Sequence, residues 1–182
     1  MEIIKSKIFK DVRTFIPTVY NDNRGFFMES FNQKIQDELS VNFIQDNHSK
    51  SKKGVIRGLH YQWDKPMGKL VRVVKGSGLD VIVDIRKNSD TFGYWESFEL
   101  SENNHHILWA PPGFAHGFLS FEDETHLCYK TTSLHNSECE GAINPLDSDL
   151  NIDWLMDNSS IILSDKDKSA QSFNEYTKLT RF

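Results

Sequence analysis

The chain has 182 residues, a net charge of −5, 38% hydrophobic and 12% aromatic residues, enough apolar volume for one core and too much for a disordered polymer. Charges of both signs are mixed along it with no basic block, which argues against nucleic acid or an anionic membrane as a partner. The N-terminal MEIIKSKIFK lacks an apolar signal core and no apolar run approaches membrane-spanning length. The expectation is therefore a soluble, cytoplasmic protein with a single domain over residues 1–182, residues 168–182 forming a peripheral tail. Cys128 and Cys139 follow no metal-ligand spacing, and without a signal peptide they are expected as free thiols.

In chain order, residues 2–20 read as extended, with Pro17 discouraging a helix. DNRGFFMESF (22–31) sets a polar turn before an apolar strand, and Asn32 to Leu39 is a short helix candidate. VNFIQDNHS (41–49) reads as a strand, followed by a solvated basic turn, SKSKKG (49–54). From Gly54 to Phe121 the pattern is strand and turn: GVIRGLHYQW, KLVRVV, LDVIVDIR, YWESFEL, HHILWA and FAHGFLSF, separated by KPMG, KGSG, KNSDTFG, SENN and PPG. HLCYKTT (126–132) adds one more strand. After it the chain loosens, recovers at IDW and IILSD, and ends with a short helix expected around Phe173–Lys178. Turns every ten or so residues predict an all-β sandwich or barrel.

Within LDVIVDIR, Leu79, Val81, Val83 and Ile85 share one face and Asp80, Ile82, Asp84 and Arg86 the other. Parity leaves Asp80 either solvated outside a sandwich or lining a polar cavity within it. Around it cluster residues that can carry proton chemistry. Taken alone, His60 reads as structural, but it follows an Arg-Gly step in the densest charged-plus-apolar stretch, and a neutral His is a suitable base near pH 7. Lys69 reads as a strand-end lysine or, beside a carbonyl, as the cation that stabilises enolate charge. Asp80 can hold Lys69 or His116 in place. Tyr129 is a core or rim tyrosine, or a phenol that donates a proton from the face opposite a His. Pro111, Gly113 and His116 have the P-x-G-x-x-H spacing of the second half of a cupin signature. The first half reads HYQ, without the paired ligands and Glu of metal cupins, so no metal is expected and a cupin oxygenase is disfavoured. Arg24, Arg57 and Lys166 are candidates for anionic ligand groups, with ordinary surface charge as the plain alternative.

DNRGFFMESF, FIQDNHSKSKKGVIRGLHYQ, KLVRVVKGSGLDVIVDIRKNSDTFGYWESFELSENN, APPGFAHGF, YKTT and LSDKD, in this order, resemble the dTDP-4-dehydrorhamnose 3,5-epimerase family from about Phe9 to Asp167. The resemblance implies a cupin-type jelly roll with a few short helices, a homodimer, a nucleotide-sugar substrate and catalysis without a cofactor. It implies His60 as general base with Asp167 as its partner and Tyr129 as proton donor. Lys69, Asp80 and His116 would polarise and hold the keto group and its neighbours. Arg24, Glu29, Gln45, Asn47, Arg57, Glu140 and Lys166 would contact the nucleotide sugar.

Two stretches depart from the family pattern. YKTT usually continues with Asp-Tyr-Tyr, whose second Tyr stacks on thymine; here the run is YKTTSLHN and His135 stands at that place. The usual Trp-Asn-Asp-Pro is replaced by Pro145-Leu146-Asp147-Ser148. Both lie where the nucleotide is gripped, so a CDP- or GDP-linked 4-keto sugar is an alternative; inversion at C3 only or C5 only is another, because deprotonating one carbon needs the same His and Tyr. A 3,4-ketoisomerase is disfavoured by the His and Tyr pair. From another class, the alternative is a non-catalytic cupin that only binds a sugar nucleotide.

Overall fold

The computed structural model describes residues 1–182. The chain opens with β1 (Glu2–Lys5), β2 (Arg13–Ile16), a ribbon of β3 (Val19–Asp22) and β4 (Gly25–Met28), α1 (Gln33–Leu39) and β5 (Gln45–Ser51). The central strands are β6 (Ile56–Gln62), β7 (Lys69–Lys75), β8 (Ser77–Asp84), β9 (Trp95–Ser101), β10 (Ile107–Ala110), β11 (Phe114–Ser120) and β12 (Thr125–Thr131). β13 (Glu140–Ala142), α2 (Asp165–Lys168) and α3 (Phe173–Lys178) complete it. A six-stranded sheet, β1-β2-β10-β7-β12-β5, faces a five-stranded sheet, β13-β6-β11-β8-β9. This is the all-β sandwich that the turn spacing predicts and the jelly roll that the family resemblance implies. β5 runs on to Ser51, past the expected turn at 49, because it stays in register with β12 as far as the Ser51–Thr125 pair.

The sandwich is filled by Val71, Val73 and Leu127 from one sheet and Ile82, Leu100, Phe114 and Phe118 from the other. Leu79, Val81, Val83 and Ile85 point away from that core, into a second one shared with Leu59, Trp154 and Tyr176. β8 is thus covered on both faces, which is why it reads as a nearly unbroken apolar run. Parity then directs Asp80 and Asp84 inward with Ile82. Asp84 is satisfied by Arg86, Ser89 and Thr91, so it serves the fold.

Residues 168–182 are not a peripheral tail. Tyr176 is fully buried in the second core, and its hydroxyl donates to the Ile85 carbonyl at 2.8 Å. A capping box between Ser172 and Glu175 starts α3, and the Lys87 N–H donates to the Phe182 carbonyl at 3.1 Å. The apolar outer face of β8 and β11 needs a cover, and this segment is part of it. On the far side, Ile35 of α1 packs with Phe15, Leu70, Ile107 and Trp109 over the outer face of the six-stranded sheet.

One irregularity positions the site. His116 of β11 pairs with His60 of β6, yet Phe118 pairs with Arg57, so β6 carries an extra residue between these pairs. Arg57 and His60, three apart, would point to opposite faces of a regular strand. The bulge turns both toward the same cavity while Ile56 and Leu59 enter the outer core. Gly58 makes this feasible: its φ is +132°, and a Cβ there would lie 2.5 Å from Gly117 Cα and 2.6 Å from the His116 carbonyl oxygen. Gly58→Ala is expected to cost at least about 2 kcal/mol, because neither the φ nor the backbone contact can relax cheaply. A Tm equal to that of the unaltered protein would show that the bulge tolerates a side chain.

Candidate active site

A cavity of about 440 Å³ opens between the sheets, walled by β6 and β11 on one side and by β5, β7 and β12 on the other. His60 and His116 come from the first wall, adjacent across the β6–β11 pair. Lys69 and Tyr129 come from the second: Tyr129 pairs with Val71 and Thr131 with Lys69, which sets the two on neighbouring rungs of one face. The segment Ile162–Asp167 closes one end and brings Lys166 and Asp167.

Each histidine is held by a carboxylate. His60 Nε2 lies 2.6 Å from Asp167 Oδ1, and Asp167 is only 3% exposed. Ser164 caps α2 by accepting from the Asp167 N–H, and its hydroxyl donates to Asp167 Oδ2 at 2.8 Å. Burial alone would raise the Asp167 pKa, but the hydrogen bonds from His60 and Ser164 hold it below the ordinary carboxylate value. With Nε2–H donated to Asp167, the lone pair of a neutral His60 resides on Nδ1. His116 Nε2 lies 2.8 Å from Asp80 Oδ2, both side chains being buried. Burial pushes the His116 pKa down, the Asp80 charge notwithstanding, so this imidazole is favoured neutral. Asp80 itself does not line the cavity; it acts through His116.

Lys69 is a buried cation whose ammonium makes no hydrogen bond to a carboxylate. Burial lowers its pKa to about 8, against the opposing pull of Asp80 and Glu140. Burial raises the Tyr129 pKa, keeping the phenol protonated. Arg57 lines the cavity and is pinned by Nε to Ser51 Oγ and by Nη2 to the Lys50 carbonyl, both at 3.0 Å. Glu140 hydrogen-bonds Lys166 and lies 3.6 Å from His135 Nε2. Its burial would raise its pKa, and the hydrogen bond from Lys166, with the nearby Lys166 charge, holds it low.

Other expected site residues sit further out. Gln45 and Asn47 share the inner face of β5, hydrogen-bonded to each other at 2.9 Å, with Asn47 opposite Tyr129. The His135 N–H donates to Gln45 Oε1. Arg24 and Glu29 are not brought to this cavity: Arg24 is 85% exposed and paired with Asp22, while Glu29 accepts from Asn32. Two polar lining residues escaped the sequence reading. Ser164 was legible as the start of an S-x-x-D cap. Ser49 was legible only from strand parity with Gln45 and Asn47. No three His, Cys, Asp or Glu side chains converge as ligands for a metal ion.

His60 tied to a buried carboxylate, a protonated phenol on the facing wall and the buried Lys69 beside that phenol thus line one cavity. The fold and this site define a carbohydrate epimerase, an enzyme of the isomerase class. The profile of the dTDP-4-dehydrorhamnose 3,5-epimerase family matches residues 6–175, and the chain belongs to that family. An epimerase of this name from Shigella flexneri is 51% identical over 177 residues, 95% of this chain and 96% of the relative. The crystal structure of dTDP-6-deoxy-D-glucose-3,5-epimerase from Legionella pneumophila Philadelphia 1, in complex with dTDP-4-keto-L-rhamnose, superposes with a TM-score of 0.90 at 43% identity, covering 95% of this chain and 93% of that one. A 3'-monoepimerase from Streptomyces bikiniensis in complex with dTDP-quinovose gives 0.91 at 30% identity, covering 98% and 91%.

If Lys69 must be cationic for turnover, kcat should fall as pH rises through about 8, since deprotonation removes the charge. Tyr129 titrates later, its pKa being raised from 10. Lys69→Met should lose that limb and about 10²-fold in kcat. A rate that holds level from neutral pH to pH 9 or so in the unaltered enzyme would remove Lys69 from this role.

Proposed function

We propose that the protein epimerises a dTDP-linked 4-keto-6-deoxyglucose at C3 and C5. The observation that carries this reading is the His60–Asp167 pair facing Tyr129 across one cavity, with Lys69 beside them. The C3 and C5 hydrogens are acidic because each carbanion delocalises onto the C4 oxygen. His60 takes the proton from one face, and the electron pair of the C–H bond moves into the enolate. Lys69 and the His116–Asp80 pair stabilise the developing charge, which makes abstraction by so weak a base feasible. Tyr129 returns a proton from the opposite face and the centre inverts. His60 is then protonated and Tyr129 deprotonated, and exchange with solvent through the cavity mouth resets both. No electrons are gained or lost, so the scheme calls for no redox cofactor. Arg57, Lys166, Gln45, Asn47, His135 and Glu140 surround the way in and suit the diphosphate and nucleoside.

A second reading, inversion at one carbon only, is favoured by the likeness to the Streptomyces monoepimerase, since deprotonating one carbon needs the same His and Tyr. Incubating the enzyme with the dTDP-4-keto sugar in D2O and following both carbons by NMR separates the two. Deuterium is expected at C3 and C5; deuterium at one carbon supports the second reading, and none at either contradicts both. His60→Ala should abolish exchange, whereas Tyr129→Phe should keep exchange at the carbon deprotonated first and lose inversion.

We also propose a homodimer. The β3–β4 ribbon stands apart from both sheets and exposes Tyr20, Phe26 and Phe27, an apolar surface suited to a second copy. Arg24 and Glu29 lie on or next to the same ribbon, so their part in substrate binding would be played at the neighbouring copy's cavity. Light scattering is expected to give twice the chain mass; a single-chain mass at micromolar concentration argues against the dimer and against any role for Arg24.

A further inference from the structure

The segment that closes the cavity is anchored at both ends by backbone bonds. Ile162 pairs in parallel with Val55; its N–H donates to the Gly54 carbonyl at 2.8 Å and its carbonyl accepts from the Ile56 N–H at 3.0 Å. Gln171 pairs with Ile143, and its carbonyl accepts from the Asn144 N–H at 2.9 Å. Between these anchors α2 carries Asp167 to His60. The anchors place the Asp167 backbone but not its carboxylate, which has a broad, two-fold preference about the Cβ–Cγ bond. Held by one oxygen alone, it would keep that freedom.

Ser164 removes it. Its Oγ accepts from the Asp167 N–H at 3.1 Å and donates to Oδ2 of the same residue at 2.8 Å, while Oδ1 takes His60 Nε2 at 2.6 Å. One hydroxyl thus ties the carboxylate to its own backbone. A helix cap needs only an acceptor, so the bond to Oδ2 is additional to capping. The Asp167 side chain is 5% exposed, so water does not readily replace a lost donor. Of the charged groups felt by this pair, Lys166 and Glu140 are bonded to each other, which leaves Ser164 to orient the carboxylate. The other imidazole pair has no such tie: Asp80 Oδ1 is without a partner, and full burial holds that carboxylate instead. The pair at the opening lacks that enclosure. Its carboxylate plane sets the direction of the imidazole N–H and therefore of Nδ1 on the far side of the ring. A misplacement of about 1 Å at such an atom can cost about 10²-fold in rate.

We infer that Ser164 is a positioning residue: its hydroxyl fixes the plane of the Asp167 carboxylate and so aims His60 Nδ1 at the hydrogen to be removed from carbon. The assignment rests on the epimerase reading for the reaction, whereas the aim of the imidazole belongs to the enzyme without ligand. Ser164 lines the cavity, but its one proton is committed to Asp167, and it acts through that residue.

Proton NMR of the enzyme without ligand supplies a readout with a built-in control. An imidazole N–H bonded to a carboxylate resonates far downfield, and the protein has two such pairs, His60–Asp167 and His116–Asp80. His60→Ala identifies the first signal by its loss. In Ser164→Ala the His60 signal is expected to broaden or vanish while that of His116 stays. On the dTDP-4-keto sugar, kcat is expected to fall about tenfold with KM within about twofold. Ser164→Thr keeps the hydroxyl and should restore both the signal and kcat. A retained His60 signal, or an unchanged kcat, in Ser164→Ala overturns the proposal. So does loss of both imidazole signals with a lowered Tm, which assigns Ser164 to the fold, and so does a raised KM at unchanged kcat, which assigns it to the substrate. A His60 signal that depends on Ser164, in a protein that exchanges no deuterium into the keto sugar, upholds the positioning and overturns the epimerase reading alone.

Discussion

The site depends on how closely two strands approach. Gly58 lies almost against the His116–Gly117 backbone, and no side chain fits between them. That contact permits the bulge in β6, and the bulge sends both Arg57 and His60 into the cavity. Without it the strand would send one of them into the apolar core around Trp154 and Tyr176, where a charged or polar group has no partner. The same stretch of β6 therefore serves two environments, giving Leu59 to a sealed core and His60 to a polar cavity.

Electrostatics then divides the polar residues by task. Each imidazole has its own carboxylate, Asp167 for His60 and Asp80 for His116, but the pairs differ in setting. The His60 pair borders the opening through α2, whereas His116 is a buried part of the cavity wall with Asp80 fully enclosed behind it. A sealed imidazole resists protonation and suits a fixed dipole; one at the opening can exchange protons with solvent. Lys69 lies between these settings. It is buried enough to lose much of its basicity and has no hydrogen-bonded counter-ion, so its charge remains available to whatever enters.

Much of this was legible in the sequence, for identifiable reasons. Strand limits followed from Gly, Pro and Asn turns, and the short helix expected at Phe173–Lys178 is found there. Parity in LDVIVDIR sorted Asp80 from Leu79 but left open which face was interior, because both faces are covered and both look apolar. The pairing of His60 with Asp167 spans 107 residues and carries no local signal; it came from family resemblance and is met in the structure as a direct hydrogen bond. The burial of Tyr176 was hidden because the surrounding sequence is largely polar, although Phe173 and Phe182 pack against the same core beside it. Ser49 was overlooked because serine in a strand end reads as turn chemistry until the neighbouring strand shows where it points.

The Asp167 carboxylate has a consequence for how the protein comes into being. Every strand of the six-stranded sheet lies before residue 132, and every strand of the five-stranded sheet before residue 143. A chain growing from its N-terminus can thus form both sheets while the partner of His60 is still unmade. The cavity would exist, open at one end, with an imidazole free to turn. Only when Ser164–Asp167 folds over it does the base acquire a fixed tautomer, and the following α3 covers the outer core in the same motion. The carboxylate partner of His60 and the last of the hydrophobic cover therefore both come from the final stretch of chain, after every sheet strand has been made.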